Sequence, residues 1–568
     1  MRATTGLVIA AALGAAACSS GDSTGSNTAT CSGVVDTVPP LGVQTVDAAS
    51  AGCVAMPSDG STYIVVPQYA SGTGGTSPVN YQIGTDPAPA QQDIVPRIVS
   101  AQPGASLSLQ APAVGLRQTF DFMLRERERQ IAASGAGAHP RAALVAALRA
   151  TPIVGTVDTF WVCSDLNCTT FKKDTAVAKY VGSHIAIFMS QNTPSGGLTA
   201  GDITALGNTF DQDLYDIDVN TFGAPSDIDG NGRVIVLMSP KVNAMTPSSQ
   251  CSTQGYIAGF FFGADLVPTQ SHSNDGEIFY SIVPDSNGTF SCAHSATTVK
   301  SLILATFIHE FQHMISWNQH VIVRGGNSED TWLNEGMSHI AEELGSRYYE
   351  QKYPAPSGRA NPAQLFPDSS QGFISGDLYN SYTYLQAPGA SSVTIFANSG
   401  SLQERGAAWI FLRWLGDLKD STIYGKLDQT ALTGITNVET QAGESFQSLF
   451  GDFAMAVYSD SLPGMPRASA PARDRFVSRN LRQIYARLNS VDAATYPLPF
   501  PVTLPALPVG STASSSMLVG TMHFWKLTMP SSGGAMRLHF TSSSGGSFPS
   551  GDHAQVTVLH CPSASACP

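Results

Sequence analysis

The feature that most constrains the fold of this 568-residue chain is an apolar segment, 299–317, that carries two histidines and a glutamate near its middle. Its Leu, Ile, Ala, Phe and Met residues predict a helix buried in a protein core. His309 and His313 are four residues apart, so a helix places both imidazoles on one face, one turn apart, where they can share one metal ion. Glu310 lies about 100° around the helix from His309. Because desolvating such groups without partners is costly, a fold that buries this helix must give them partners.

A catalytic zinc ion keeps three protein ligands and one open position, so the two histidines need a third ligand. The segment 331–339 (TWLNEGMSH) supplies one in Glu335, which lies 22 residues after His313 at the start of another predicted helix. If this helix packs against the first, Glu335 reaches the two histidines. Nitrogen and oxygen ligands do not by themselves distinguish Zn2+ from other divalent metals.

The segment HEFQH at 309–313, followed by WLNEG at 332–336, resembles the gluzincin zinc metallopeptidases. The resemblance implies that His309, His313 and Glu335 bind one catalytic Zn2+ and that Glu310 is the catalytic base. Less specific similarity to the hyicolysin-type peptidases is found at 184–188, 227–234, 273–280 and 406–412, so the resemblance covers about residues 155–460. The implied catalytic domain is α+β, with a mixed β-sheet over an active-site helix bundle.

Two roles in the gluzincin pattern remain open. Many gluzincins have an acidic residue four positions after the third ligand, bonded to a zinc histidine, but that position is His339 here. Glu342, Ser338 or a backbone carbonyl are the alternatives for orienting the histidines. A Tyr or His usually stabilises the oxyanion. Tyr384 is the preferred candidate, with Tyr382 and His339 as alternatives.

The N-terminus predicts export. Arg2, an apolar stretch at 6–13 and small residues at 15–17 form a signal-peptide pattern that ends at Cys18. It resembles a bacterial lipoprotein signal, which implies a lipid on Cys18 and a membrane anchor at the cell envelope, either the outer membrane or the cell surface. The polar stretch 19–30 would be a tether. The alternative is a plain secreted protein.

The cysteine count agrees with an oxidising compartment. Apart from Cys18, eight of the nine cysteines remain, so disulfides are expected. Pairing of nearest neighbours would give the bridges 31–53, 163–168, 251–292 and 561–567, although the sequence does not fix the connectivity.

The remaining pattern predicts an α+β protein with small β modules at both ends. We expect a β-rich module at 31–95, a helical connecting segment at 96–150 with helices near 117–131 and 142–150, the metallopeptidase domain at 151–495, and a β-sandwich-like accessory module at 500–568. The net charge of −13, without a Lys/Arg cluster, argues against a nucleic-acid partner.

The sequence also suggests a second metal site. Asp227, Asp229 and Asn231 resemble the first half of a calcium loop, but its twelfth position is Met238, where a glutamate is usual. A tight turn that leads into a strand is the favoured alternative.

Together these features predict a zinc-dependent endopeptidase that acts on protein or peptide substrates. One alternative is an aminopeptidase at the same site, which would need an acidic anchor such as Glu277 or Asp330 for the free amine of its substrate. Another is a non-catalytic surface-binding lipoprotein with a vestigial zinc site. Glu310 argues against this last alternative, because a structural site has no need of a general base.

Overall fold

The computed structural model describes residues 36–72, 76–87, 115–135, 137, 149–352, 373–397 and 399–568. The predicted signal peptide, Cys18, the tether and Cys31 lie outside the described residues, as does nearly all of the predicted helix 142–150.

The described strands are β1 Asp36–Thr37, β2 Val43–Asp47, β3 Val54–Met56, β4 Thr62–Tyr69, β5 Val79–Pro87, β6 Val157–Cys163, β7 Phe171–Val181, β8 Ile185–Ser190, β9 Val234–Met238, β10 Gly259–Phe261, β11 Ile278–Ser281, β12 Thr512–Met517, β13 Thr521–Met522, β14 Trp525–Thr528, β15 Met536–Ser542 and β16 Ala554–Cys561.

The described α-helices are α1 Leu116–Ala133, α2 Ala200–Thr209, α3 Tyr215–Phe222, α4 Pro240–Asn243, α5 Ser248–Gln254, α6 Ala296–Trp317, α7 Thr331–Lys352, α8 Ser375–Gln386, α9 Leu402–Lys419, α10 Thr422–Asp428, α11 Gly434–Ala442, α12 Phe446–Ser459 and α13 Leu481–Val491. Wider π-helical turns follow α2 at Phe210–Leu214 and α6 at Asn318–Val323, and short 3-10 turns lie at Ala48–Cys53, Gly263–Leu266, Ala472–Asp474 and Ser550–Asp552.

Strands from 36–87 and 512–561 form one β-sandwich. One sheet has the order β1-β3-β15-β5-β12, and the other has the order β13-β4-β16-β2 with β14 also paired to β4. The structure therefore differs from the expectation of separate modules at 31–95 and 500–568. The physical reason is the burial of β4: all eight of its residues are buried, so both faces of this strand need packing partners. Tyr63 and Val65 face the core of the sandwich, while Ile64 and Val66 join the core of the helical domain.

The central unit is a six-stranded mixed sheet with helices packed against it, so the chain has an α+β fold as predicted. The strand order is β10-β11-β9-β8-β7-β6, in which β11, β9 and β8 run parallel and the other neighbours are antiparallel. Helix α6 contacts β10 at one edge of this sheet and also packs against α7. Its first turn is capped by Ser295, whose hydroxyl accepts a hydrogen bond from the Thr298 amide at 3.0 Å.

A close approach of α8 and α9 completes the helical layer. A Cβ atom at Gly406 of α9 would lie 2.2 Å from the carbonyl carbon of Asn380 in α8, so only glycine permits this packing. The start of α9 is fixed by a capping box between Ser401 and Glu404. This arrangement directs the side chain of Arg405 towards α7.

Three of the four expected disulfides are present: Cys163–Cys168, Cys251–Cys292 and Cys561–Cys567. The fourth expected pairing involves Cys31 and so falls outside the described residues. Among the described segments, no helix combines the length and the hydropathy that a membrane crossing requires.

Candidate metal centre

Helices α6 and α7 bring His309, His313 and Glu335 together, and we refer to these three residues as the metal centre. The two Nε2 atoms are 3.1 Å apart. Glu335 places its Oε2 atom 3.6 Å from His309 Nε2 and its Oε1 atom 3.8 Å from His313 Nε2. All three side chains are buried, and their potential ligand atoms lie within 4.8 Å of one another. One cation could therefore be reached by all three.

The other ring nitrogens of the histidines have partners on α7. His309 Nδ1 lies 2.7 Å from Glu342 Oε1. His313 Nδ1 is hydrogen-bonded to Asn334 Oδ1 and lies 3.0 Å from the Ser338 hydroxyl. Of the residues that the sequence offered for orienting the rings, Glu342 and Ser338 are therefore in contact with them. Asn334 was missed, although it lies next to the predicted third ligand in the WLNEG segment.

The donor set fits a divalent metal ion. Glu335 Oε1 is buried and has no hydrogen-bond partner among the described residues. An orphan carboxylate oxygen beside two facing imidazole nitrogens would be costly without a cation. Two nitrogen ligands and one carboxylate, with outer groups that fix the rings, match the ligands of catalytic zinc sites.

Arg405 is the main charged partner of Glu335, the candidate third ligand. Its Nη1 atom lies 2.5 Å from Glu335 Oε2, and both side chains are buried. Burial by itself raises the pKa of Glu335, but Arg405 and His309 hold the pKa well below its usual range. These two neighbours therefore favour the ionised form of Glu335. Arg405 was not among the predicted site residues, because it lies 70 residues further along the chain on α9 and belongs to no recognisable local motif.

Glu310 lies beside the metal centre on α6 and contacts the edge of the sheet. Its Oε2 atom accepts a hydrogen bond from the Phe261 amide of β10 at 2.8 Å. Burial raises the pKa of Glu310, while His309 lowers it, and the balance is a pKa above the ordinary value. A raised pKa makes the Glu310 carboxylate a stronger base, as the role of a general base requires.

The three candidates for stabilising an oxyanion have different surroundings. The hydroxyl of Tyr384 on α8 is buried without a hydrogen-bond partner in the described part of the chain. Tyr382 binds the main chain at Leu498 through its hydroxyl. His339 pairs with Asp377 at 2.8 Å, and its ring meets the His309 ring edge-on with centroids 5.0 Å apart. His339 therefore adjoins the metal centre, while the role of Tyr384 stays a prediction.

The loop at 227–231 forms a hydrogen-bonded turn. Asn231 Nδ2 donates to Asp229 Oδ2 at 2.6 Å, and Asn231 Oδ1 accepts from the Arg233 amide at 2.6 Å. The amide oxygen of the predicted calcium ligand is therefore used within the turn. Carboxylate oxygens of Asp227, Asp229 and Glu277 lie within 4.8 Å of one another.

The two acidic residues considered as anchors for a substrate amine are engaged elsewhere. Glu277 Oε1 accepts hydrogen bonds from the Ser226 hydroxyl at 2.5 Å and from the Ile228 amide at 2.9 Å. Asp330 pairs with Arg129 of α1 at 2.9 Å. Glu277 therefore stabilises the loop that contains Ser226 and Ile228, and Asp330 forms an ion pair with α1.

Comparison with known proteins gives one distant relative. No family model matches the chain. Over 230 residues, or 39% of its length, the chain is 26% identical to the neutral metalloprotease ShpI of Staphylococcus hyicus. The aligned region covers 48% of that protein, so the chain spans about half the length of the curated relative it matches. The relationship to metallopeptidases that the HEFQH and WLNEG segments suggested is thereby supported.

Proposed function

We propose that this protein is an exported, zinc-dependent endopeptidase in which His309, His313 and Glu335 bind the metal and Glu310 is the general base. The observation that carries the proposal is the convergence of two Nε2 atoms and an orphan carboxylate oxygen beside a buried glutamate. The similarity to a neutral metalloprotease supports the same reaction class.

The side chains divide the chemistry among them. A bound Zn2+ would supply Lewis acidity, which polarises a peptide carbonyl and lowers the pKa of a water molecule to about 7. Glu310, held in place by the Phe261 amide, takes a proton from the attacking water and passes it to the leaving amine. Glu342 and Asn334 keep the imidazole Nε2 atoms directed inwards. Tyr384 is the proposed donor to the carbonyl oxygen, and His339 is the alternative.

Endopeptidase activity is preferred over aminopeptidase activity because of the contacts of the two acidic residues. Glu277 and Asp330 are each bound to other parts of the fold. We also propose that the chain is exported and carries a lipid on Cys18, which would anchor it to the membrane of the cell envelope. The three described disulfides support an oxidising compartment.

The test compares residues 19–568 with their Glu310→Gln variant for cleavage of fluorogenic peptides and for bound zinc. We expect about one zinc ion in both proteins and a loss of roughly 10²-fold or more in cleavage rate for the variant. Glu350→Gln, a charge removal on α7 away from the histidines, is the control. Peptides with blocked and free N-termini separate endopeptidase from aminopeptidase activity. A folded protein that binds no zinc would overturn the ligand assignment, and equal rates for Glu310→Gln and the wild type would overturn the base assignment.

A further inference from the structure

Helix α1 is joined to the metal centre through Arg405 and to Glu310 through Phe261. Arg405, which binds Glu335, also lies 3.3 Å from Asp121 of α1, so one guanidinium joins the third ligand to this helix. Asp121 in turn lies 3.5 Å from Arg117. The side chains that a peptide would have to reach are almost inaccessible: the exposed fraction is 1% for His309, 3% for Glu310, 2% for His313 and 0% for Glu335.

Side chains of α1 also bind the main chain at the edge of the central sheet. In the described part of the chain, β10 is an edge strand that pairs with β11 alone. The Phe261 carbonyl accepts a hydrogen bond from Arg125 Nη2 at 2.6 Å, and the Gly263 amide donates one to Glu128 Oε1 at 2.7 Å. An extended peptide can add to an edge strand as a further strand, and it then forms hydrogen bonds with the main-chain groups that point outwards from that edge. Arg125 therefore occupies the position of a substrate N–H group that would donate to the Phe261 carbonyl. Glu128 occupies the position of a substrate carbonyl that would accept from the Gly263 amide.

The inner face of α1 is packed as tightly as a core element. Phe120 is 1% exposed and meets the Phe260 ring of β10 edge-on, with centroids 5.2 Å apart. Arg125 and Glu128 form a buried ion pair at 3.2 Å. Near its C-terminal end, α1 is tied to the residue before α7 by the ion pair of Arg129 with Asp330. The helix thus bridges β10 and α7, the two elements that would border a substrate.

We propose that α1 is an autoinhibitory helix and that the arrangement described is a latent form of the peptidase. Displacement of α1 exposes Glu310 and the Phe261 carbonyl and admits a peptide along β10. This inference concerns the regulation of the proposed site and rests on the proposed peptidase function.

The experiment uses residues 19–568 loaded with zinc and two variants that loosen α1 by different means. Arg125→Ala/Glu128→Ala removes both members of the buried ion pair together, so that neither charge is left buried alone. Phe120→Ala removes the ring contact with Phe260. The control is Gln130→Ala, on the exposed face of the same helix. For each protein we would measure kcat/KM on a blocked fluorogenic peptide, zinc content, and hydrogen–deuterium exchange of the backbone at 259–263.

We expect both loosened variants to exchange faster at 259–263 and to gain about tenfold or more in kcat/KM, because a larger fraction of the molecules can accept substrate. Gln130→Ala should match the wild type. If the loosened variants keep their zinc and exchange faster, yet cleave no faster than an active wild type, the inhibitory role of α1 is overturned and the peptidase function stands. If faster exchange is accompanied by no Glu310-dependent cleavage in any of the proteins, the peptidase function itself fails, and the inference fails with it.

Discussion

Replacing Glu342 by glutamine tests whether this residue prepares His309 for the proposed zinc ion. Glu342 Oε1 lies 2.7 Å from His309 Nδ1, so the carboxylate fixes the ring orientation and increases the basicity of Nε2. Glutamine keeps an oxygen at the same position but removes the negative charge. Loss of an outer partner of this kind costs about 10- to 100-fold in metal affinity. Because the hydrogen bond is preserved, we expect about tenfold weaker zinc binding, equivalent to about 1.4 kcal/mol.

Of the three residues of the metal centre, only His309 should be affected by this substitution, because it is the one that Glu342 contacts. His339, which also contacts Glu342 at 3.1 Å, keeps its second partner Asp377 at 2.8 Å. The assay is competition for zinc between each protein and a chelating dye at neutral pH. Glu350→Gln is the matched control, since Glu350 lies on the same helix but contacts Ser346 and Arg479 instead of a histidine. Unchanged affinity in Glu342→Gln would refute the reasoning, as would an equal loss in the control.

Three further predictions concern stability. Burial lowers the pKa of His523 to about 4, so between this pKa and the ordinary value the unfolded chain binds a proton at His523 and the folded chain does not. The free energy of unfolding should therefore be highest above about pH 6.5 and fall by about 3 kcal/mol as the pH drops towards 4. Urea unfolding at several pH values should show a flatter profile for His523→Gln. Replacing Cys251 and Cys292 together by serine should cost about 4 kcal/mol, because that disulfide closes a loop of 41 residues; in the same assay, each of the bridges that close five- or six-residue loops should cost about 2 kcal/mol. Gly406→Ala should cost about 1–3 kcal/mol and weaken zinc binding, because a methyl group 2.2 Å from the Asn380 main chain must push α9 away; calorimetry and zinc titration would check both effects.

Local sequence patterns predicted the elements that carry the metal centre. The apolar run 299–317 corresponds to α6, which begins three residues earlier at Ala296, and the predicted helix that contains Glu335 corresponds to α7, Thr331–Lys352. Helical periodicity places His309 and His313 on one face without any knowledge of the tertiary fold. Glu342 was among the candidates for orienting the rings because it lies close to the third ligand in the chain.

The parts that sequence reasoning missed depend on contacts between distant segments. Arg405 reaches Glu335 because α9 packs closely on α8 at Gly406, and an arginine near the start of an apolar helix shows no sign of this. The charged run 125–129 is typical of a solvated helix face, yet Arg125 is 3% exposed and Glu128 is 1% exposed. The joint sandwich was missed because alternation within β4 indicates a buried strand but does not identify its partner.

The sandwich also sets a condition on the order in which the protein can be made. β4 lies between β16 and β14 in its sheet, and β5 lies between β15 and β12, so both early strands have late strands on each side. While a ribosome is still making the chain, residues 62–87 can form neither sheet. A chain that ends before residue 512 leaves these apolar strands with unpaired edges, which are templates for aggregation and targets for quality control. Completion of the sandwich therefore distinguishes finished molecules from truncated ones.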